Sequence, residues 1–230
     1  MKDLMQNRAV SVEKCQRRRG CVTCRPTVAR RPTVEGIVWA MTLRPEQVKA
    51  KEYLDQQGSR RSAPQLRERV AAAFTAIEEF LDGVSESEAR AQGVAGEWTI
   101  QEVVDHLVET HEPSVVELRE LLAGRRPAGG PIPASLQSRD PMSRPWPDLL
   151  DALRRVQAEA VEVLAAAPDR PTDARAEVVM VINVKRPDGS EEPLHWIEEL
   201  DWKAYAIVFR LHVLDHLNQA KKTLRGIRGA

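Results

Sequence analysis

The sequence predicts an all-α fold: a four-helix bundle with long crossover connections and a small β-hairpin inserted before the last helix. Three observations predict it. Four stretches repeat apolar residues at helical spacing, a segment rich in Gly, Pro and Ser separates the second from the third, and a β-branched run ending in Pro-Asp-Gly-Ser precedes the fourth.

The first helix is expected from residue 64, where Leu66, Val70, Phe74, Ile77 and Leu81 follow one another at spacings of three and four and so share a face. The second begins near Thr99. Thr99-x-x-Glu102 is a capping box, in which each side chain satisfies a backbone N–H left free at a helix start. Val103, Leu107, Val115, Leu118 and Leu122 carry this helix to about Gly124. Pro113 is expected to kink it, because proline cannot donate to the carbonyl four residues back. Residues 124–146 have no periodicity and read as a long crossover loop. The third helix opens at Pro145-Trp146-Pro147 and places Leu149, Leu153, Val156, Ala160 and Val163 on one face. A hairpin is expected between "AEVVMVINVK" and "EEPLHWIEEL". The last helix spans roughly 198–225, with Trp202, Tyr205, Phe209, His212, His216 and Gln219 in a single stripe.

Charge and cysteine placement divide the chain. Residues 1–40 carry nine Lys/Arg against three Asp/Glu, and the remainder carries 25 against 31. The body is therefore mildly acidic, and a nucleic-acid partner, which calls for a basic stripe on the folded part, is not expected. Residues 1–60 are assigned to a basic, disordered N-terminal extension and 61–230 to the bundle domain. Cys15, Cys21 and Cys24 all lie in the extension. Cys21-x-x-Cys24 has the spacing of half a zinc knuckle but lacks a second pair of ligands. No apolar run approaches the roughly 18 residues of a membrane span, and the tail lacks the apolar stretch of a secretory signal. The expectation is a cytoplasmic protein whose first forty residues precede an alternative start at Met41.

The chemistry concentrates on histidine. Positions i and i+4 of a helix stand one above the other, so His212 and His216 can grip one ion through neutral imidazole nitrogens at roughly 2.0–2.1 Å. The competing reading is a pair of hydrogen-bonded core histidines. His106, on or near the inward face of the second helix, could supply a third imidazole, which would leave positions open on the ion as in catalytic sites. His111, about 140° further round that helix, is expected to face solvent. Asp105 and Asp215 read as solvated surface carboxylates, and His195 as a loop residue. Gln219, one turn beyond His216, is a candidate to support that imidazole or touch substrate. Trp98, Trp202 and Tyr205 are candidates to hold a substrate, with core packing expected for at least two of them.

"GEWTIQEVVDHL" followed by "HVLDHLNQAKKTL" resembles the DinB/YfiT-like superfamily, which shows Trp-Ser/Thr-x-x-Glu-x-x-x-His-Leu on its second helix and His-x-x-x-His on its last. The likeness covers roughly residues 62–226. It implies a four-helix bundle in which His106, His212 and His216 bind a divalent metal such as nickel or zinc. Family members with known activities are often metal-dependent transferases using a low-molecular-weight thiol such as bacillithiol or mycothiol, while others are hydrolases or isomerases. Because residues 41–230 contain no cysteine, a sulfur nucleophile here would have to come from such a small thiol. The resemblance thus favours thiol transfer to an electrophilic small molecule. The alternatives are hydrolysis by metal-bound hydroxide, formed because zinc lowers the pKa of water to about 7, and a non-catalytic binding bundle. A homodimer is the expected assembly.

Overall fold

The structure, a computed structural model, describes residues 43–186 and 188–229. The tail cysteines, with their half-knuckle spacing, and Met41 lie outside those residues. Six α-helices form: α1 (Pro45–Arg60), α2 (Ala63–Leu81), α3 (Glu86–Arg90), α4 (Ile100–Leu122), α5 (Trp146–Ala165) and α6 (Trp202–Arg228). Strands β1 (Ala176–Lys185) and β2 (Glu191–Leu200) make the antiparallel hairpin, with Met180 opposite Trp196 and Gly189 in the turn at φ +84°. Among the described helices none is long and apolar enough to cross a membrane.

Helices α2, α4, α5 and α6 are the bundle. Their principal contacts run α2–α6, α6–α4, α4–α5 and α5–α2, a closed ring. Side-chain pairs fix the directions. Arg119 near the end of α4 meets Glu159 near the end of α5, while Gln101 at the start of α4 bonds the carbonyl of Arg144 just before α5. These two helices are therefore parallel. Tyr205 at the start of α6 bonds Glu117 late in α4, so α6 is antiparallel to α4. It runs with α2, since Lys203 bonds the carbonyl of Arg61 before α2 and Arg228 that of Gly83 after it. The order is up, down, down, up. Two consecutive parallel helices of 23 and 20 residues need a connection that returns about 30 Å along the bundle, and the predicted crossover loop supplies it.

Local chemistry explains the element boundaries. Thr99 caps α4 with the predicted box: its hydroxyl accepts from the Glu102 N–H at 3.2 Å, and the Glu102 carboxylate accepts from the Thr99 N–H at 2.7 Å. Asp201 caps α6 by accepting from the N–H groups of Lys203 and Ala204, which places the helix start three or four residues later than the periodicity predicts. Helix α4 continues through Pro113 to Leu122. There the Thr110 hydroxyl donates to the His106 carbonyl and the Ser114 hydroxyl to the Thr110 carbonyl.

Three expectations are corrected. Residues 45–60, assigned to a disordered extension, form α1. Only Leu54 and Gly58 of this helix are buried, too sparse a pattern to read as an amphipathic helix. Polar contacts dock it instead: the buried Lys203 ammonium donates to the carbonyls of Gly58 and Arg61, and Lys51 pairs with Glu198 of β2 at 2.8 Å. His111 and Asp105, both expected in solvent, have no exposed surface. The error has one cause. Helix α4 is packed by α5 and α6 and overlaid by the crossover loop, so a residue 140° from the core stripe still points into protein.

Candidate metal centre

Capped at Thr99, α4 presents His106 from its second turn, and antiparallel α6 brings His212 and His216 opposite. The three Nε2 atoms converge. That of His212 stands 3.0 Å from that of His106 and 3.1 Å from that of His216, and one ring nitrogen from each residue lies within 4.8 Å of the others. His106 is buried; His212 and His216 are partly so.

The outer nitrogens decide where the protons are. His106 Nδ1 lies 2.7 Å from the backbone carbonyl of Leu136, which can only accept, so Nδ1 carries the hydrogen. His216 Nδ1 likewise donates to Gln219 Oε1 at 2.9 Å. Both rings therefore turn a bare Nε2 lone pair toward His212. Its own Nε2 holds at most one proton and can bridge to only one of them, leaving the other contact as lone pair against lone pair. A cation satisfies all three. Ligands about 2.0–2.1 Å from an ion, at 90–109° to one another, stand roughly 2.9–3.4 Å apart, which brackets the observed spacings. The residues present fit a divalent metal.

Electrostatics keeps these rings neutral, as metal ligands must be. Burial lowers the pKa of His106, against the opposing pull of the Leu136 carbonyl and the Asp105 charge. Burial also sets His212 well below the usual imidazole value, with further lowering from His216, His111 and His106. His216 falls to about 4, chiefly by burial and then by its proximity to His106, with Gln219 opposing.

The surroundings come from segments that sequence periodicity does not mark. Asp105 is gripped by the crossover loop: the Ser138 N–H and hydroxyl each donate at 2.8 Å, and Arg144 Nη1 at 2.9 Å. This anchor holds the loop where the Leu136 carbonyl meets His106. Trp98 lies over the site, nearly parallel to the His216 ring at 6.1 Å between centroids and 5.0 Å from His106. Its placement depends on close backbone approach between the preceding segment and α6. A methyl on Gly93 would stand 2.1 Å from the Thr223 carbonyl oxygen, and one on Gly226 2.2 Å from that of Gly93.

Of the candidate contact residues, the structure brings Trp98 and Gln219 to the imidazoles. Trp202 is wholly buried in the core, and Tyr205, 5% exposed, donates to Glu117 at 2.6 Å. The side chain of Asp105 and the carbonyl of Leu136 are the additions sequence reasoning missed; a backbone carbonyl leaves no trace in residue type. His111 sits behind the cluster, its ring 5.7 Å from His212 and 4.4 Å from Phe209, with neither nitrogen hydrogen-bonded. His195, expected in a loop, is instead exposed within β2 opposite Val181, and Asp215 is exposed on α6 as expected.

A parallel-crossover helical bundle with an imidazole cluster between two antiparallel helices defines the class of protein. The chain belongs to the DinB superfamily, whose family model matches residues 46–198. That match covers His106 and stops short of α6. The fold is similar to a solved structure described as "YfiT from Bacillus subtilis is a probable metal-dependent hydrolase with an unusual four-helix bundle topology", at a TM-score of 0.54 and 16% identity, covering 73% of this chain and 87% of that one. No curated protein matches the chain.

Proposed function

We propose that the protein is a divalent-metal-dependent enzyme in which His106, His212 and His216 hold the ion and leave positions open for a small nucleophile. One observation carries this reading: three Nε2 atoms converge although the rings of His106 and His216 hold their proton on Nδ1, where it is donated to an outer acceptor. The ion, nickel or zinc by family resemblance, would supply Lewis acidity, lowering the pKa of a thiol or water brought to it. The chain's own residues supply the rest. Leu136 and Gln219 fix two imidazoles by their outer N–H groups, and Trp98 offers a flat apolar wall against which an electrophilic substrate can lie.

Thiol transfer to an electrophilic small molecule is the specific reaction proposed. No described residue is a cysteine, so the sulfur would arrive on a low-molecular-weight thiol such as bacillithiol or mycothiol. Hydrolysis is the second reading, favoured by the description of the YfiT structure. Metal analysis of the purified protein beside His212→Ala tests the shared premise, with near-stoichiometric divalent metal expected in the wild type and its loss in the variant. The holo-protein is then given an electrophile with a bacillithiol or mycothiol analogue, and separately an activated ester. Conjugate above the uncatalysed rate supports transfer; ester cleavage without conjugate supports hydrolysis. A metal-free wild type sinks both.

A further inference from the structure

A second cluster of charge lies away from the imidazoles, where α1, α2 and α6 meet. Three arginines line the same small pocket: Arg61 just after α1, Arg69 from α2 and Arg210 from α6. Tyr53 and Gln57 share a face of α1 at i and i+4, Leu66 precedes Arg69 and Val70 by three and four on α2, and Ala206 precedes Arg210 by four on α6, while Arg61 follows α1 directly in extended backbone and lines the same pocket. The floor is apolar: Leu66, Val70, Ala206 and Ile207 are all buried.

No carboxylate lines this pocket, and none of the three arginines forms a salt bridge among the described residues. Nine of the other sixteen arginines among the described residues pair with Asp or Glu. Gln57 Oε1 accepts from Arg61 Nε at 2.9 Å and so orients that guanidinium. Three like charges on an apolar floor repel one another, and what relieves them is an anion able to accept from several guanidinium forks together.

We propose that the Arg61–Arg69–Arg210 pocket binds a small, multiply charged oxyanion of the phosphate type, either free or as the terminal group of a phosphate monoester. Three cations match a dianion with several acceptor oxygens better than a single carboxylate, and because the recess, at about 10 Å³, has room for no more than one water, the anion lies across its mouth with any ester group in solvent. Tyr53, at the rim and 39% exposed, is placed to donate its hydroxyl to the same anion. The pocket is independent of the histidine cluster, so the two readings stand or fall separately.

The test is titration of the full chain with inorganic phosphate and, in parallel, phenyl phosphate, at constant ionic strength with chloride as the reference anion, following arginine Nε–Hε resonances by NMR. Saturable shifts confined to three arginine side chains are expected, absent with chloride and preserved in His212→Ala. The double variant R69Q/R210Q, with folding checked by circular dichroism, should weaken binding by at least about tenfold, as expected for two lost charge-assisted contacts. Tighter binding of inorganic phosphate assigns the free anion, and tighter binding of phenyl phosphate the ester. The proposal is overturned if neither anion saturates, if R69Q/R210Q binds as the wild type does, or if the shifts vanish in His212→Ala.

Discussion

His106 and His212, 106 residues apart in sequence, bring their Nε2 atoms to 3.0 Å across the α4–α6 contact. Neither helix alone makes a site. The contact depends on α6 running antiparallel to α4, an arrangement held by the Tyr205–Glu117 hydrogen bond at one end and by the Gly93–Gly226 backbone approach at the other.

If this convergence holds a metal, the ion is also a structural staple. A ligand present at 100 times its dissociation constant stabilises the native state by about 2.7 kcal/mol, which in a domain of this size is a rise in Tm of roughly 5–11 °C. Nickel or zinc added to chelator-treated wild type should raise Tm by that order, and His106→Ala or His212→Ala should show no rise. Differential scanning calorimetry decides; equal shifts in variant and wild type would place the metal elsewhere.

Gln219 acts on the site through His216. Removing its acceptor frees the imidazole to rotate and to move its proton onto Nε2, and the loss of such outer hydrogen bonds typically lowers metal affinity 10–100-fold. Gln219→Leu should show that loss in a competition titration with a chromogenic chelator, while Gln219→Glu, which keeps an acceptor oxygen, should retain most of the affinity. Equal affinity of the leucine variant and wild type would remove Gln219 from the site.

Asp105 couples the crossover loop to the metal centre. Its carboxylate, without exposed surface, takes three hydrogen bonds from Ser138 and Arg144, and Leu136 lies two residues before Ser138. Asp105→Ala removes the acceptor of both Ser138 donors and leaves Arg144 with Glu109 alone, at a cost on the order of 3 kcal/mol. It should also loosen the Leu136 carbonyl from His106. Urea denaturation should report the first effect, and the chelator titration a parallel fall in metal affinity. Destabilisation with unaltered affinity would show that the loop does not orient His106.

The sequence made legible what depends on local pattern: the capping box at Thr99, the His212–His216 pair at i and i+4, the hairpin at Asp188-Gly189, and the length of the crossover loop. What it left dark is set by neighbours distant in sequence. Helix α1 is docked by Lys203 and Lys51 rather than by an apolar face, so periodicity could not find it. The Leu136 carbonyl is a main-chain group that any residue could present. The burial of Asp105 depends on Ser138 and Arg144, more than thirty residues away in a segment without regular pattern.

His111 shows the same blindness with a measurable consequence in acid. Its ring is fully buried between Phe209, Phe74 and His212, neither nitrogen has a partner, and burial lowers its pKa from 6.5 to about 3. The unfolded chain takes up a proton at this position as pH falls below 6.5, whereas the folded chain does so only near 3. His111 therefore withdraws stability progressively across that window, by roughly 1.4 kcal/mol per pH unit at most, and costs nothing by this route above it. Leucine fills a similar volume without polar atoms. His111→Leu should be at least as stable as wild type at pH 7.5, because a buried unpartnered polar group is itself unfavourable by about 1–3 kcal/mol. At pH 4.5 the advantage should grow by a further 2–3 kcal/mol or so. Urea denaturation of both proteins in chelator at the two pH values measures the difference directly. The same gap at both would mean that this imidazole is hydrated or paired in solution.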